Sequence, residues 1–227
     1  MSEFQLQAAN QVWTIGFGFE DQARSDGYRF IAGLDEVGRG CLAGPVVAAA
    51  CILDPERAVP DGLNDSKKLT ALQRERIAEE LRKSAVAFAV GVVDADEIDV
   101  INILEATRKA MSLAIAALPS AADFLLIDAL HLRDVRTPQK AIIKGDAISY
   151  SIAAASVIAK TYRDDLMRHY DVEYPQYGFA GHKGYGAASH LLALRCHGPC
   201  PLHRKTFRGV LQDTSAPPQG FSFEPGI

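Results

Sequence analysis

Residues 30–53 read Phe30-Ile-Ala-Gly33-Leu-Asp35-Glu36-Val-Gly38-Arg39-Gly40-Cys-Leu-Ala-Gly44-Pro45-Val46-Val47-Ala-Ala-Ala-Cys51-Ile52-Leu53. An apolar run ends in two adjacent carboxylates and breaks into a glycine-rich turn, and a second apolar run follows. The short connection predicts an antiparallel hairpin of two buried strands, Tyr28–Val37 and Val46–Leu53. Two acids where a central strand ends make sense if a cation lies opposite them. Glycines on both sides of Arg39 let the backbone approach a ligand, because no Cβ stands in the way.

Working outward, Thr70 with Gln73 three residues on forms a capping box for a helix to about Lys83. Ala85–Val93 reads as a third strand. Residues 94–118 are helical in one or two pieces, with Ile98, Ile101, Leu104, Met111 and Ile115 at helical spacing. Phe124–Asp128 is a short apolar strand ending in a carboxylate. Because a helix leads into it, it should run parallel to an earlier strand. Gln139–Ile143 is a fifth strand, and an alanine-rich helix runs from Ala147 to about Tyr170. A last helix spans Ser189–Cys196. This order predicts an α/β sandwich around a mixed five-stranded sheet flanked by helices, with a helical C-terminal portion. Residues 1–28 read as a peripheral N-terminal extension, 29–210 as one domain, and 211–227 as a disordered tail.

Composition narrows the class. The 227 residues carry 48% hydrophobic and 23% charged side chains, ordinary for a soluble globular chain. No apolar run approaches the ~20 residues needed to span a bilayer. The start of the chain shows no secretion signal, so a cytoplasmic, membrane-free, monomeric protein with reduced cysteines is expected. The net charge is −4. It is unevenly spread: residues 131–210 hold twelve Lys and Arg against six acids, a net +6, and all six histidines. A basic half facing an acidic half is the asymmetry of a polyanion binder.

Asp35, Glu36, Asp128 and Asp146 stand out among the acids by placement. If the fourth strand lies parallel beside the first, Asp35 and Asp128 leave the sheet at one edge, where open α/β sheets bind ligands. Asp146, just ahead of a helix, is equally well read as a plain N-cap. Carboxylates without Cys or His suit hard cations, Mg²⁺ or Mn²⁺, rather than zinc. Aromatics, Lys, His and Gly alternate over residues 174–186, as on a surface that stacks on sugars and touches phosphates. There Tyr174 and Phe179 read as buried and Tyr185, between two glycines, as exposed. Lys67, Lys68 and Lys144 are candidate phosphate contacts. Cys196, His197, Cys200 and His203 complete no four-ligand zinc pattern. His131, His169 and His190 read as surface residues.

These motifs resemble bacterial ribonuclease HII. The resemblance rests on Gly33–Gly40 with Gly44-Pro45-Val46, Asn64–Leu69, Ile98–Leu104, Ile127-Asp128, Lys144-Gly145-Asp146, Ser151–Lys160, Tyr177–Phe179, His182–Gly186 and His203-Arg204, all in order. Ala187 stands where threonine is expected, and Thr206 where serine is. The related ribonuclease HIII carries an extra N-terminal domain that 28 residues cannot supply.

The resemblance implies a ribonuclease H-like sheet, with Asp35, Glu36, Asp128 and Asp146 as catalytic, metal-binding carboxylates for Mg²⁺ or Mn²⁺. It implies a substrate surface of Gly38, Arg39, Gly40, Lys67, Lys68, Lys144, His182, Lys183 and Tyr185. In it the glycine segment senses a 2′-hydroxyl and Tyr185 stacks on the next sugar. The implied substrates are RNA–DNA hybrids and DNA carrying embedded ribonucleotides, as in ribonucleotide excision repair. A non-catalytic hybrid-binding module, or an integrase-like DNA nuclease on the same fold, are the rival classes. Gln219–Phe223 faintly resembles a sliding-clamp peptide.

Overall fold

The computed structural model describes residues 14–211. The expected tail and the clamp-like peptide lie outside the described residues.

Five strands form one sheet in the order β3-β2-β1-β4-β5. They are β1 (Ile31–Val37), β2 (Val46–Ile52), β3 (Ala87–Val93), β4 (Phe124–Asp128) and β5 (Gln139–Ile142). β1 and β2 pair antiparallel, as the short connection predicts, and β2 pairs antiparallel with β3. β4 lies parallel to β1, with Leu34 opposite Ile127, and β5 lies parallel to β4. The central strands are buried on both faces, which explains why their sequences read as continuous apolar runs.

Helices cover both faces. Their ranges are α1 Gly18–Ser25, α2 Ala71–Ser84, α3 Ala95–Ile101, α4 Ile103–Ala116, α5 Tyr150–Glu173, α6 Phe179–His182 and α7 Ala188–His197. On one face Ala32, Leu34, Ala48 and Ala50 pack with Ala106, Ala110 and Met111 of α4. On the other, Val47, Ala49 and Cys51 pack with Ala153, Ala154 and Val157 of α5 and with Ile77 and Leu81 of α2. The capping box forms: the Gln73 amide donates to Thr70 Oγ1 at 3.3 Å, and the Thr70 amide to Gln73 Oε1 at 2.8 Å. The helical stretch 94–118 does break in two. Asn102 sits at φ 67°, and its side chain accepts from the Leu104 and Glu105 amides, restarting the helix as α4.

Two boundaries differ from expectation in ways that matter for the site. The long helix starts at Tyr150, not Ala147, and its N-cap is Ser149, whose hydroxyl accepts from the Ile152 amide. Asp146 instead lies in a 3₁₀ turn, Gly145–Ala147, so it caps no helix. Residues 15–28 pack against the domain. Glu20 on α1 is fully buried and accepts from Ser149 Oγ at 2.7 Å and the Ser151 amide at 2.9 Å. The four cysteines are free.

α5 lies unusually close to β1. A Cβ on Gly33 would fall 2.0 Å from the backbone carbon of Ser151, well inside contact distance. Gly33→Ala therefore forces the helix off the sheet, and we expect it to cost at least about 3 kcal/mol. Urea unfolding measures this. A loss below ~1 kcal/mol would contradict the close approach.

Candidate active site

β1 and β4 deliver two acids to the same end of the sheet. The parallel register reaches Leu34 opposite Ile127, so Asp35 and Asp128 are the next residues on adjoining strands. Strand alternation turns Asp35 toward α5, where it is 4% exposed and takes a hydrogen bond from the Ser156 side chain. Its Oδ1 also accepts from the Glu36 amide at 2.8 Å. Ser156 is fixed in turn by Ser66 at 2.8 Å, across a buried hydroxyl pair. Asp128 Oδ1 accepts from the Gly145 amide at 2.8 Å, which ties β4 to the turn carrying Asp146. Asp146 is 5% exposed, and its Oδ2 accepts from Lys67 Nζ at 2.8 Å.

Glu36 is held by Arg39 Nη1 at 3.2 Å through Oε1, while its Oε2 is buried without a hydrogen-bond partner. An orphaned carboxylate oxygen in a cluster of acids is a donor that a cation would satisfy. Electrostatics agree. Burial first, then the Glu36 charge, push the Asp35 carboxyl well above its ordinary value, and Asp128 adds to this. Glu36 is raised mainly by burial, against the pull of Arg39. Asp128 is also raised, by burial and by Asp146, although the Gly145 hydrogen bond opposes it. Partial burial disfavours the charge on Lys67, but Asp146, Asp65 and Asp35 together hold its ammonium above the usual lysine value.

The donors are all hard oxygens, which fits Mg²⁺ or Mn²⁺ in chemistry. Among the described residues, no group of three or more Asp, Glu, His or Cys is arranged to hold an ion as it stands. The side chains face their present partners, Gly145 for Asp128 and Lys67 for Asp146, and would have to turn from them to share an ion.

The proposed substrate surface lies beside these acids. Gly38 adopts φ 94° and abuts Arg163, where a Cβ would come 2.3 Å from Nε, so no other residue fits without strain. Arg39 and Gly40 are exposed. Lys67 and Lys68 sit on the exposed side of the 3₁₀ turn Ser66–Lys68, and Lys144 is exposed in a left-handed conformation. Tyr185 is 42% exposed, with Lys160 Nζ over its ring at 5.9 Å. Tyr177 and Phe179 are buried and stacked against each other.

The profile of the ribonuclease HII family matches residues 32–210. This chain belongs to that family. It is 57% identical to the ribonuclease HII of Chlamydia abortus, over 90% of this chain and 96% of that protein. The ribonuclease H2 of Pyrococcus horikoshii superposes with a TM-score of 0.66 at 26% identity, covering 80% of this chain and 95% of that one. The ribonuclease HII of Archaeoglobus fulgidus, solved in complex with PCNA, superposes at 0.67 and 24% identity, over 82% and 98%. The chain is thus a ribonuclease H, a nuclease of the hydrolase class, on the ribonuclease H-like fold. Among the described residues no helix is long and apolar enough to cross a membrane.

Sequence reading missed several residues that shape the site. Asp65 adds negative charge beside Asp128, and its side chain accepts from the Lys67 amide at 2.9 Å. Ser156 was legible only as a polar position in an alanine-rich helix, and Ser66 only as part of a polar turn. His190 is not a surface residue. It is fully buried, stacked on His182 at 4.3 Å between ring centroids. Its Nε2 lies 3.0 Å from His203 Nε2, and its Nδ1 lies 2.8 Å from the Tyr185 carbonyl. The Cys200 amide donates to His203 Nδ1 at 3.0 Å, which fixes the protons along the chain. His203 then donates from Nε2 to His190, and His190 donates from Nδ1 to the Tyr185 carbonyl. Burial, together with His190, lowers His203 to about 4, so both rings stay neutral near pH 7. Cys200, which completes no zinc pattern, helps hold Tyr185 in place through His203 and His190. His131 and His169 are exposed, as expected.

The raised Asp35 pKa has a consequence for stability. The unfolded carboxyl, near ~3.9, ionises before the folded one. Its contribution is therefore fully present below that value and is lost as pH rises through the raised folded value. At neutral pH the buried Asp35 carboxyl, whose charged form burial and Glu36 disfavour, burdens the metal-free fold. Asp35→Asn should raise the metal-free thermal midpoint at pH 7.5 by about 2–4 °C, the shift that ~1 kcal/mol gives in a chain of this size. The gain should shrink toward pH 4. Calorimetry in EDTA checks both, and an unchanged or lowered midpoint at pH 7.5 would contradict the crowding.

Proposed function

We propose that this chain cuts the RNA strand of RNA–DNA hybrids and nicks DNA on the 5′ side of an embedded ribonucleotide. It leaves 3′-hydroxyl and 5′-phosphate ends. The observation that supports this most is the meeting of Asp35 and Asp128 on adjoining strands, beside a buried Glu36 oxygen with no partner.

Asp35, Glu36, Asp128 and Asp146 would hold two Mg²⁺ or Mn²⁺ ions. Bound there, the ions supply an activated water for in-line attack on phosphorus and stabilise the departing 3′-oxygen. The remaining work falls to the chain itself. Lys67 pairs with Asp146 and is positioned to exchange that carboxylate for a substrate phosphate. The Gly38-Arg39-Gly40 backbone, with no Cβ on either side of the arginine, approaches the ribose closely enough to read its 2′-hydroxyl, the group that separates RNA from DNA. Tyr185 stacks on the following sugar, and Lys68, Lys144 and Lys183 line the path of the phosphates; His182, its ring nitrogens taken by the Tyr177 carbonyl and the Gly184 amide, shapes the loop instead. The basic C-terminal half attracts the duplex as a whole. Contact with a sliding clamp through Gln219–Phe223 is part of the reading, in keeping with the PCNA complex of the Archaeoglobus fulgidus protein. A pull-down with and without that tail tests it.

The central experiment is digestion of a duplex carrying one ribonucleotide, in Mg²⁺, in Mn²⁺ and in EDTA, with the ends mapped. We expect metal-dependent nicking and 3′-hydroxyl ends; an all-DNA duplex should stay intact. Asp35→Asn and Asp128→Asn should each keep hybrid binding and lose at least about 10³-fold in kcat. Substantial Mg²⁺-dependent activity in either would remove that residue from the site. Tyr185→Ala should weaken cutting at a lone ribonucleotide more than within an all-RNA strand, and equal losses would count against stacking.

A further inference from the structure

Two arginines, Arg163 on α5 and Arg204 near the end of the domain, are both fully buried, and neither forms an ion pair with a carboxylate among the described residues. A buried guanidinium without a counter-charge costs several kcal/mol unless every donor is matched. Here the partners are backbone carbonyls. Arg163 donates from Nε to the Pro45 carbonyl at 2.9 Å, from Nη2 to Ala43 at 3.0 Å and from Nη1 to Lys183 at 2.8 Å. Arg204 donates from Nη1 to the Arg39 carbonyl at 2.9 Å and from Nε and Nη2 to Gly44 at 3.1 and 2.9 Å.

The acceptors belong to two loops that are far apart in the chain. Residues 38–45 carry the glycine segment, and 183–185 carry Tyr185. The loops also touch directly, since the Leu42 amide donates to the Gly184 carbonyl at 2.8 Å. Arg163 alone among these side chains bonds to both loops, and it also fills the space under Gly38, where a Cβ would strike its Nε at 2.3 Å. The task needs a planar fork. Three carbonyls in three directions can be reached by the separate nitrogens of a guanidinium, whereas a lysine offers one nitrogen. An apolar side chain would pack there without the desolvation cost, so packing alone does not account for the charge.

We propose that Arg163 is a positioning residue that locks the glycine segment and the Tyr185 loop into one rigid unit, and that this coupling sets the preference for an RNA–DNA junction. Arg204 secures the glycine side of that unit. The inference rests on the reading that the two loops contact the ribose and the following sugar. A lone ribonucleotide can be cut in only one register, with both contacts made at once. An all-RNA strand offers many registers and tolerates a loosened pair of loops.

The test compares wild type, Arg163→Lys, Tyr185→Ala and the double variant on a duplex with one embedded ribonucleotide and on an all-RNA hybrid. We expect Arg163→Lys to lower kcat/KM at the lone ribonucleotide at least about tenfold more than on the all-RNA strand. The double variant should have the same substrate ratio as Tyr185→Ala alone, because the arginine acts through the tyrosine loop. Equal losses on both substrates, with a lowered thermal midpoint, would reduce Arg163 to a structural role and overturn the proposal. If wild type itself shows no junction preference, the functional reading fails first and the two failures are told apart. Should Arg163→Lys not fold, hydrogen exchange on the wild-type protein decides. The Leu42, Gly44 and Lys183 amides should open with rates within about threefold of one another. Rates that differ by more than ~tenfold would show two independent loops and overturn the coupling.

Discussion

The close approach of α5 to β1 at Gly33 governs most of what lies around the site. With no side chain at that position, the helix backbone settles directly on the central strand. One turn further on, Ser156 meets Asp35; two turns beyond that, Arg163 reaches under the glycine turn. At the other end, the helix begins late enough to leave Asp146 in a turn beside Asp128. One glycine thus sets the depth of a helix, and the helix sets the spacing of an acid, a hydroxyl and a guanidinium that are far apart in the sequence.

The same packing stores electrostatic tension. Asp35 and Glu36 are buried on a sheet whose neighbouring strand adds Asp128, and each is pushed toward its neutral form. Lys67 and Arg39 relieve part of this from the exposed side, where their charges are partly screened by water. A fold selected for stability alone would not gather unpaired carboxylates at a buried strand end. Their presence, with one oxygen lacking a partner, is better explained by a cation and a phosphate arriving together, which is what the proposed hydrolysis requires.

How far the sequence carried can be judged element by element. The sheet was legible because its evidence is local: a glycine turn between two apolar runs means a hairpin, and the helical stretch that leads into β4 returns it parallel to β1, whereas α2 leads into the antiparallel β3. Asp35 and Asp128 followed from that topology. Asp146 could not be separated from a helix cap, because the difference lies in whether Ser149 or Asp146 is bound by the first helical amides, and both are capping residues. Residues 15–28 read as peripheral because a single buried glutamate, Glu20, does the anchoring through partners about 130 residues away. His190 read as surface, and Arg163 went unremarked, because buried polar side chains look like exposed ones until their acceptors are known, and here the acceptors are backbone carbonyls with no sequence signature.

Those carbonyls explain how an irregular segment can act as a rigid reader. Residues 38–45 and 183–185 have few neighbours of their own kind to bond, so their carbonyls are finished by side chains from elsewhere: Arg163 and Arg204 on one side, the His203–His190 relay on the other. Each is a directional donor that, unlike a packed methyl group, fixes the rotation of the peptide it binds. A difference of one hydroxyl between RNA and DNA is small, and a backbone free to rotate would average it away. Charges and neutral histidines buried behind the loops, where they meet no substrate, are what allow the glycine segment in front to discriminate.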